Sequence, residues 1–224
     1  MNARGLKTVI ILFLILVVPA VGYMLLKSGT NHFIPLPIYG ERYEEAGDTV
    51  YHTIGDFAFT NQYGETVSSK SLEGNIKIVD FFFVDCQTIC PKMSSQLKRV
   101  QEKIKTVKNV VILSHTVNPE SDSVSVLNRY AEEYGAIKNK WHLLTGDKKE
   151  LYKIAREGYL VNALQGDGGP DDFIHTELFV LVDQKNRIRG FYDGTSAGAV
   201  DTLIDELKVL LKEEIAGEKK KRKQ

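Results

Sequence analysis

Two cysteines and a histidine carry most of the chemical potential of this sequence. Cys86 and Cys90 stand four residues apart in DFFFVDCQTICP, residues 80–91, where an apolar run ends and Pro91 is placed to open a helix. With helical or turn-like residues between them, that spacing brings both sulfurs to one side, within reach of each other or of one ion. A helix amino terminus also stabilises negative charge. It lowers a thiol pKa and favours the thiolate that both metal binding and disulfide exchange require. Two buried, inert cysteines or one structural disulfide would show the same spacing, but a strand-to-helix junction is a reactive placement.

Two thiolates suit Cu(I), and an added imidazole makes a set able to hold Cu(I) or Cu(II). A closed structural zinc site wants four ligands, and no fourth is evident. His175 is the candidate third ligand, at the start of a strand-like run in DDFIHTELFVLVD (residues 171–183) and after the Gly-rich stretch 166–170. At a strand start an imidazole serves equally well as a hydrogen-bonded structural residue, so position alone leaves its role open. His115 competes with it, standing near the end of a strand closing at Thr116, where open sheets tend to place their sites. His32, His52 and His142 read as structural or solvated.

The elements that must position these groups follow from apolar periodicity. Ile54 to Ser69 alternates around Asn61-Gln62-Tyr63-Gly64 and predicts a hairpin. Ile76 to Val84 is nearly all apolar, as a strand buried on both faces should be. Met93, Leu97, Val100, Ile104 and Val107 then mark one helix face. Val110 to Thr116 predicts a second strand, and Leu127 to Tyr134 a helix ending at Gly135. A short strand at Trp141 to Leu144 precedes a helix from Asp147 to about Glu157. Thr176 to Val182 and Ile188 to Tyr192 form a strand pair, and Leu203, Leu207, Leu210 and Leu211 mark a final helix. This order predicts an α/β fold, a mixed sheet flanked by helices, with an N-terminal hairpin.

Composition sets the remaining bounds. The 224 residues are 43% hydrophobic and 26% charged, which suits one well-buried domain with attachments rather than a disordered chain. The formal net charge is +0, but Arg4, Lys7, Lys27 and the five basic residues 219–223 lie at the ends; removing these eight from 29 leaves 21 basic against 29 acidic residues. A mildly acidic body argues against a nucleic-acid partner. Thr8 to Leu26 carries no charge, and 19 helical residues are about as long as a bilayer core is thick. We read it as a single uncleaved transmembrane anchor rather than a signal peptide, since it exceeds the usual signal core and lacks a clear small-x-small site. The positive flank puts the amino terminus in the cytoplasm and the domain outside it, facing the periplasm of a bacterial inner membrane. The expected organisation is an anchor at 1–27, a Gly- and Pro-containing linker at 28–50, the domain at 51–215 and a basic disordered tail at 216–224.

The motifs now become specific. DCQTICP, with His175-Thr176 following 85 residues after Cys90, resembles the SCO/SenC family of copper proteins. HTVNPESDSVSVLNRYAEEYG (115–135), WHLLTGD (141–147) and RIRGFYDGT (187–195) resemble it as well, so that the likeness runs from about Ile54 to Leu211. The resemblance implies a thioredoxin-like fold, an amino-terminal anchor and copper bound by Cys86, Cys90 and His175. It also implies a copper donor protein and, as client, the copper-A subunit of cytochrome c oxidase. Two departures stand out. Many members carry Pro-Asp after the first cysteine, where this chain has Gln87-Thr88 and its nearest acid is Asp85. The usual Ser-Val-Asp-Pro-like segment reads Ser114 to Pro119 with an added imidazole, His115, expected to be a hydrogen-bonding side chain.

The alternative is a membrane-anchored thiol-disulfide oxidoreductase, one cysteine attacking a client disulfide and the other resolving it. Against it, the chain has a three-residue spacer, no tryptophan before Cys86, and Ile174-His175-Thr176 where such enzymes place a proline before the facing strand. A peroxidase would need a Pro-x-x-x-Thr-x-x-Cys pattern, which is absent upstream of Cys86.

Overall fold

The computed structural model describes residues 3–28, 34–161 and 176–221. Residues 1–34 and 35–224 form two compact units. The first contains helix α1 (Ala3–Ser28), 26 residues with Pro19 inside it. Among the described residues no helix is long and apolar enough to cross a membrane.

The second unit is built on a seven-stranded sheet. Its strands are β3 (Ala58–Asn61), β4 (Thr66–Ser68), β5 (Ile76–Phe82), β6 (Val110–Thr116), β7 (Trp141–Thr145), β8 (Leu178–Val182) and β9 (Ile188–Asp193), in the order β4-β3-β7-β6-β5-β8-β9. The central strands β5, β6 and β7 are parallel, while β3–β4, β3–β7, β5–β8 and β8–β9 pair antiparallel. Every residue of β5 and β6 is buried, as mainly apolar runs predict for strands covered on both faces.

Alternation along each strand divides the core in two. Ile76, Ile78, Phe82, Val110, Ile112, Trp141, Leu143, Phe179 and Leu181 face the helices α2 (Cys90–Ile104), α3 (Val124–Tyr134) and α5 (Ala197–Lys221). Val79, Phe81, Val111, Leu113, Leu144, Val180 and Val182 face the other layer, with α4 (Lys148–Lys153) and Tyr159. In α2 the spacing of Met93, Leu97, Val100 and Ile104 lays four fully or nearly fully buried side chains against the sheet. Each such burial is worth about 1.5–3 kcal/mol. Helix α3 stops where Gly135 adopts a left-handed conformation (φ 69°) and its N–H reaches back to the last carbonyls.

The structure departs from the sequence reading in four places. The stretch read as a linker contains a hairpin, β1 (Arg42–Glu45) with β2 (Asp48–Tyr51), and is tied to the domain by Tyr39 pairing with Ile188 and by Arg189 donating to the carbonyls of Leu36 and Pro37. Helix α2 ends at Ile104, so Val107 packs on the core from beyond it. The helix from Asp147 is an α-helix only to Lys153 and then a π-helical turn, Ile154–Gly158. Finally, α5 continues to Lys221, so most of the basic stretch read as disordered is helical.

Candidate metal centre

Strand β5 ends at Phe82, and the chain then crosses the carboxyl edge of the parallel strands before entering α2 at Cys90. Pro91 sits in the first turn of α2, where its missing N–H costs nothing. Both cysteines are free and buried, Cys86 7% and Cys90 3% exposed. The Cys90 N–H donates to Cys86 Sγ at 3.4 Å, and the Thr88 hydroxyl lies 3.8 Å from the same sulfur. The helix end therefore addresses the thiol four residues before it.

The two sulfurs differ sharply in acidity. Burial pushes the Cys86 thiol up, but hydrogen bonds from the Cys90 thiol, the Cys90 and Thr88 N–H groups and the Thr88 hydroxyl outweigh it and bring Cys86 down to about 7. Burial pushes Cys90 the other way, to about 12, reinforced by its donation to Cys86 and by the negative charges of Cys86 and Asp80. The acidifying influence expected of the helix terminus thus reaches Cys86 and not Cys90.

Beneath the thiols lies a buried polar chain that periodicity could not disclose. Asp80 pairs with Ser114 in the β5–β6 register, and both share a face with α2. Ser114 donates to Asp80 at 2.5 Å and Trp141 Nε1 donates to Ser114 at 2.8 Å. Burial raises the Asp80 carboxyl to about 7 against the opposing pull of the Ser114 hydroxyl. One turn after Cys90, Ser94 shares a 2.7 Å hydrogen bond with Tyr130, whose phenol burial also pushes up. The legible signal was a lone acid inside an apolar strand, which has to find a partner to be buried.

Of the sequence candidates, Cys86 and Cys90 come together, and His175 lies outside the described residues. The chain is described again from Thr176, which with Glu177 and Leu178 lines an open hollow together with Ile89 of the cysteine loop. Among the described residues no group of three His, Cys, Asp or Glu side chains could hold a metal ion. His115 is on the opposite face of the sheet from Ser114 and Thr116. It stacks on Phe81 with ring centroids 5.3 Å apart and meets Phe59 and Tyr159 edge-on or tilted. Among the described residues neither of its ring nitrogens has a hydrogen-bond partner, so the expected hydrogen-bonding role is corrected, and burial depresses its pKa to about 3. His52 Nε2 lies 2.8 Å from the Gly158 carbonyl, consistent with a structural role, while His142 is buried on β7; His32 lies outside the described residues.

The SCO1/SenC family model matches residues 45–212. The SCO1 protein homolog of Bacillus subtilis (strain 168) is 30% identical over 167 residues, 74% of this chain and 86% of the relative. The solved structure of BsSco, described as a Sco-family cytochrome c oxidase assembly protein with a disulfide switch, is 31% identical at a TM-score of 0.61; the match covers 71% of this chain and 93% of that one. Arabidopsis thaliana ScoI, solved with copper bound, is 26% identical at a TM-score of 0.55, covering 69% and 97%. The strand order, the paired thiols at the β5–α2 junction and the extent of these matches lead to one conclusion: the chain belongs to the SCO1/SenC family and has its thioredoxin-like fold.

Proposed function

We propose that this protein is a metallochaperone that carries copper on Cys86, Cys90 and His175 and delivers it to the copper-A subunit of cytochrome c oxidase. The observation that carries the reading is the pair of free sulfurs at one loop, Cys86 already close to its thiolate form at neutral pH. Soft, adjacent thiolates favour Cu(I), and an imidazole completes a set that also accepts Cu(II). The copper-bound state of the Arabidopsis relative supports that cargo, and the description of BsSco supports the client. Position 175 immediately precedes the segment that shares a hollow with Ile89, which supports its histidine as the third ligand. We further propose that the uncharged run in α1 anchors the chain in a bacterial inner membrane with the domain in the periplasm, on the same surface as a membrane-bound client and a copper donor protein.

A second reading is favoured by a separate observation. The acidity difference, about 7 against about 12, is that of an attacking thiol and a resolving thiol, so the pair is suited to exchange disulfides with a client and thereby prepare its copper-binding cysteines. His175→Ala separates the two. Copper affinity should fall by at least about tenfold, the low end of what altering even a supporting group at a metal site costs. The Cys86–Cys90 disulfide should still form and break. In cells, oxidase activity should drop and recover in part with excess copper. Unchanged copper affinity together with normal oxidase assembly would make His175 structural and favour the exchange reading.

A further inference from the structure

The loop that follows β6 turns back on itself through the Asn118 carbonyl, which accepts from the N–H groups of Ser121 and Asp122. This turn places the Asp122 side chain, 1% exposed, between the ends of β5 and β6. Its carboxylate accepts from the Val84 N–H, at 3.3 and 3.4 Å to its two oxygens, and from the Thr116 hydroxyl. Thr116 Oγ1 in turn accepts from the Asn118 N–H at 2.9 Å, and the Val117 N–H donates to the Phe82 carbonyl at 2.8 Å. Val84 is two residues before Cys86, whose own N–H donates to the Phe83 carbonyl at 3.3 Å. From there the Cys90 N–H reaches Cys86 Sγ. Hydrogen bonds through the Phe83–Val84 peptide therefore link one buried carboxylate to the backbone of Cys86, whose sulfur accepts separately from Cys90.

We infer that Asp122 is a positioning residue for the thiol pair: by holding the Val84 N–H and the Thr116 hydroxyl together, it fixes the loop 83–86 in the form that suits two free sulfurs. This rests on the reading of Cys86 and Cys90 as the working thiols. The physical reason is that a buried carboxyl group is costly to leave without donors, and Asp122 takes its donors from the two segments it joins, the Thr116 hydroxyl and the Val84 N–H. Without it, the partly buried Val84 N–H loses its carboxylate acceptor and the loop loses that tie to the segment after β6. The loop also carries the Phe83 backbone group that hydrogen-bonds the Cys90 sulfur, a bond that a thiol or thiolate accepts better than a disulfide sulfur, so loosening the loop should disfavour the dithiol relative to the disulfide.

The test is the redox equilibrium of the full-length, metal-free protein in glutathione buffers, where Cys86 and Cys90 form one disulfide as one glutathione disulfide is reduced to two glutathione thiols. Asp122→Ala should shift that equilibrium toward the protein disulfide by at least about threefold. Asp122→Asn, which keeps an acceptor for the Val84 N–H, should restore most of the difference, and Thr116→Val should shift it in the same direction as Asp122→Ala. Wild-type redox behaviour in an Asp122→Ala protein with native circular dichroism overturns the proposal, even if Val84 amide exchange is faster. If Asp122→Ala does not fold, wild-type redox behaviour in Thr116→Val overturns the proposal, and a shift toward the disulfide in Thr116→Val supports it. A wild-type protein whose cysteines form no disulfide and take up no copper would instead refute the function proposed above, whatever the variants do.

Discussion

Cys86 and Cys90 carry the same side chain and share one helix end, yet their surroundings drive their acidities apart. Burial raises both thiols, and an asymmetric hydrogen bond then sets them apart, because Cys86 receives donors and Cys90 is one of them. A thiol whose pKa is lowered ionises earlier as pH rises, so Cys86 becomes thiolate on passing about 7 while Cys90 stays protonated up to about 12. Iodoacetamide on the reduced, metal-free protein should modify Cys86 at least about tenfold faster than Cys90 near neutral pH, with a rate that rises and levels off around the Cys86 pKa. Peptide mapping that finds Cys90 modified first contradicts this account. The pair itself was legible from spacing and the following proline; the division of labour was not, because it depends on which sulfur accepts the Cys90 N–H. His115 shows the same limit. Its place at a strand end was legible, but only its parity with Ser114 and Thr116 puts it on the far face, among Phe57, Phe59 and Phe81.

Elements with a strong period were readable and the others were not. β5 and β6 are mainly apolar runs, and α2 shows its buried face at three- and four-residue steps, so the scaffold on either side of the thiols was evident. The β1–β2 hairpin is polar, with all four residues of β1 exposed, and leaves no alternation to read. It is defined instead by a turn at Ala46 and Gly47, both at positive φ. The π-helical turn after α4 is likewise a product of tertiary packing. A side chain at Gly158 would lie 2.6 Å from the Ile54 carbonyl oxygen, so the close approach needs glycine, which no local pattern announces. Asp80 and Ser114 were visible as polar residues in apolar strands, but their bond depends on the parallel β5–β6 register, which neither strand encodes alone.

At the scale of the whole molecule, the family match at residues 45–212 accounts for the domain and leaves α1 outside it. A tether matters to a copper carrier because it confines the carrier to the surface on which a membrane-bound client sits. If α1 is the proposed anchor, the protein should fractionate with membranes and its domain should be cut by protease added from the extracytoplasmic side. Release of a soluble mature form lacking residues 1 to about 26 would establish a cleaved signal instead.

Copper loading of the reduced protein tests the central claim most directly, because it examines the cargo and both sulfurs together. One copper should bind per chain, with a sulfur-to-Cu(II) charge-transfer band that disappears in both Cys86→Ser and Cys90→Ser. Full copper binding by Cys86→Ser, with the band intact, would contradict it.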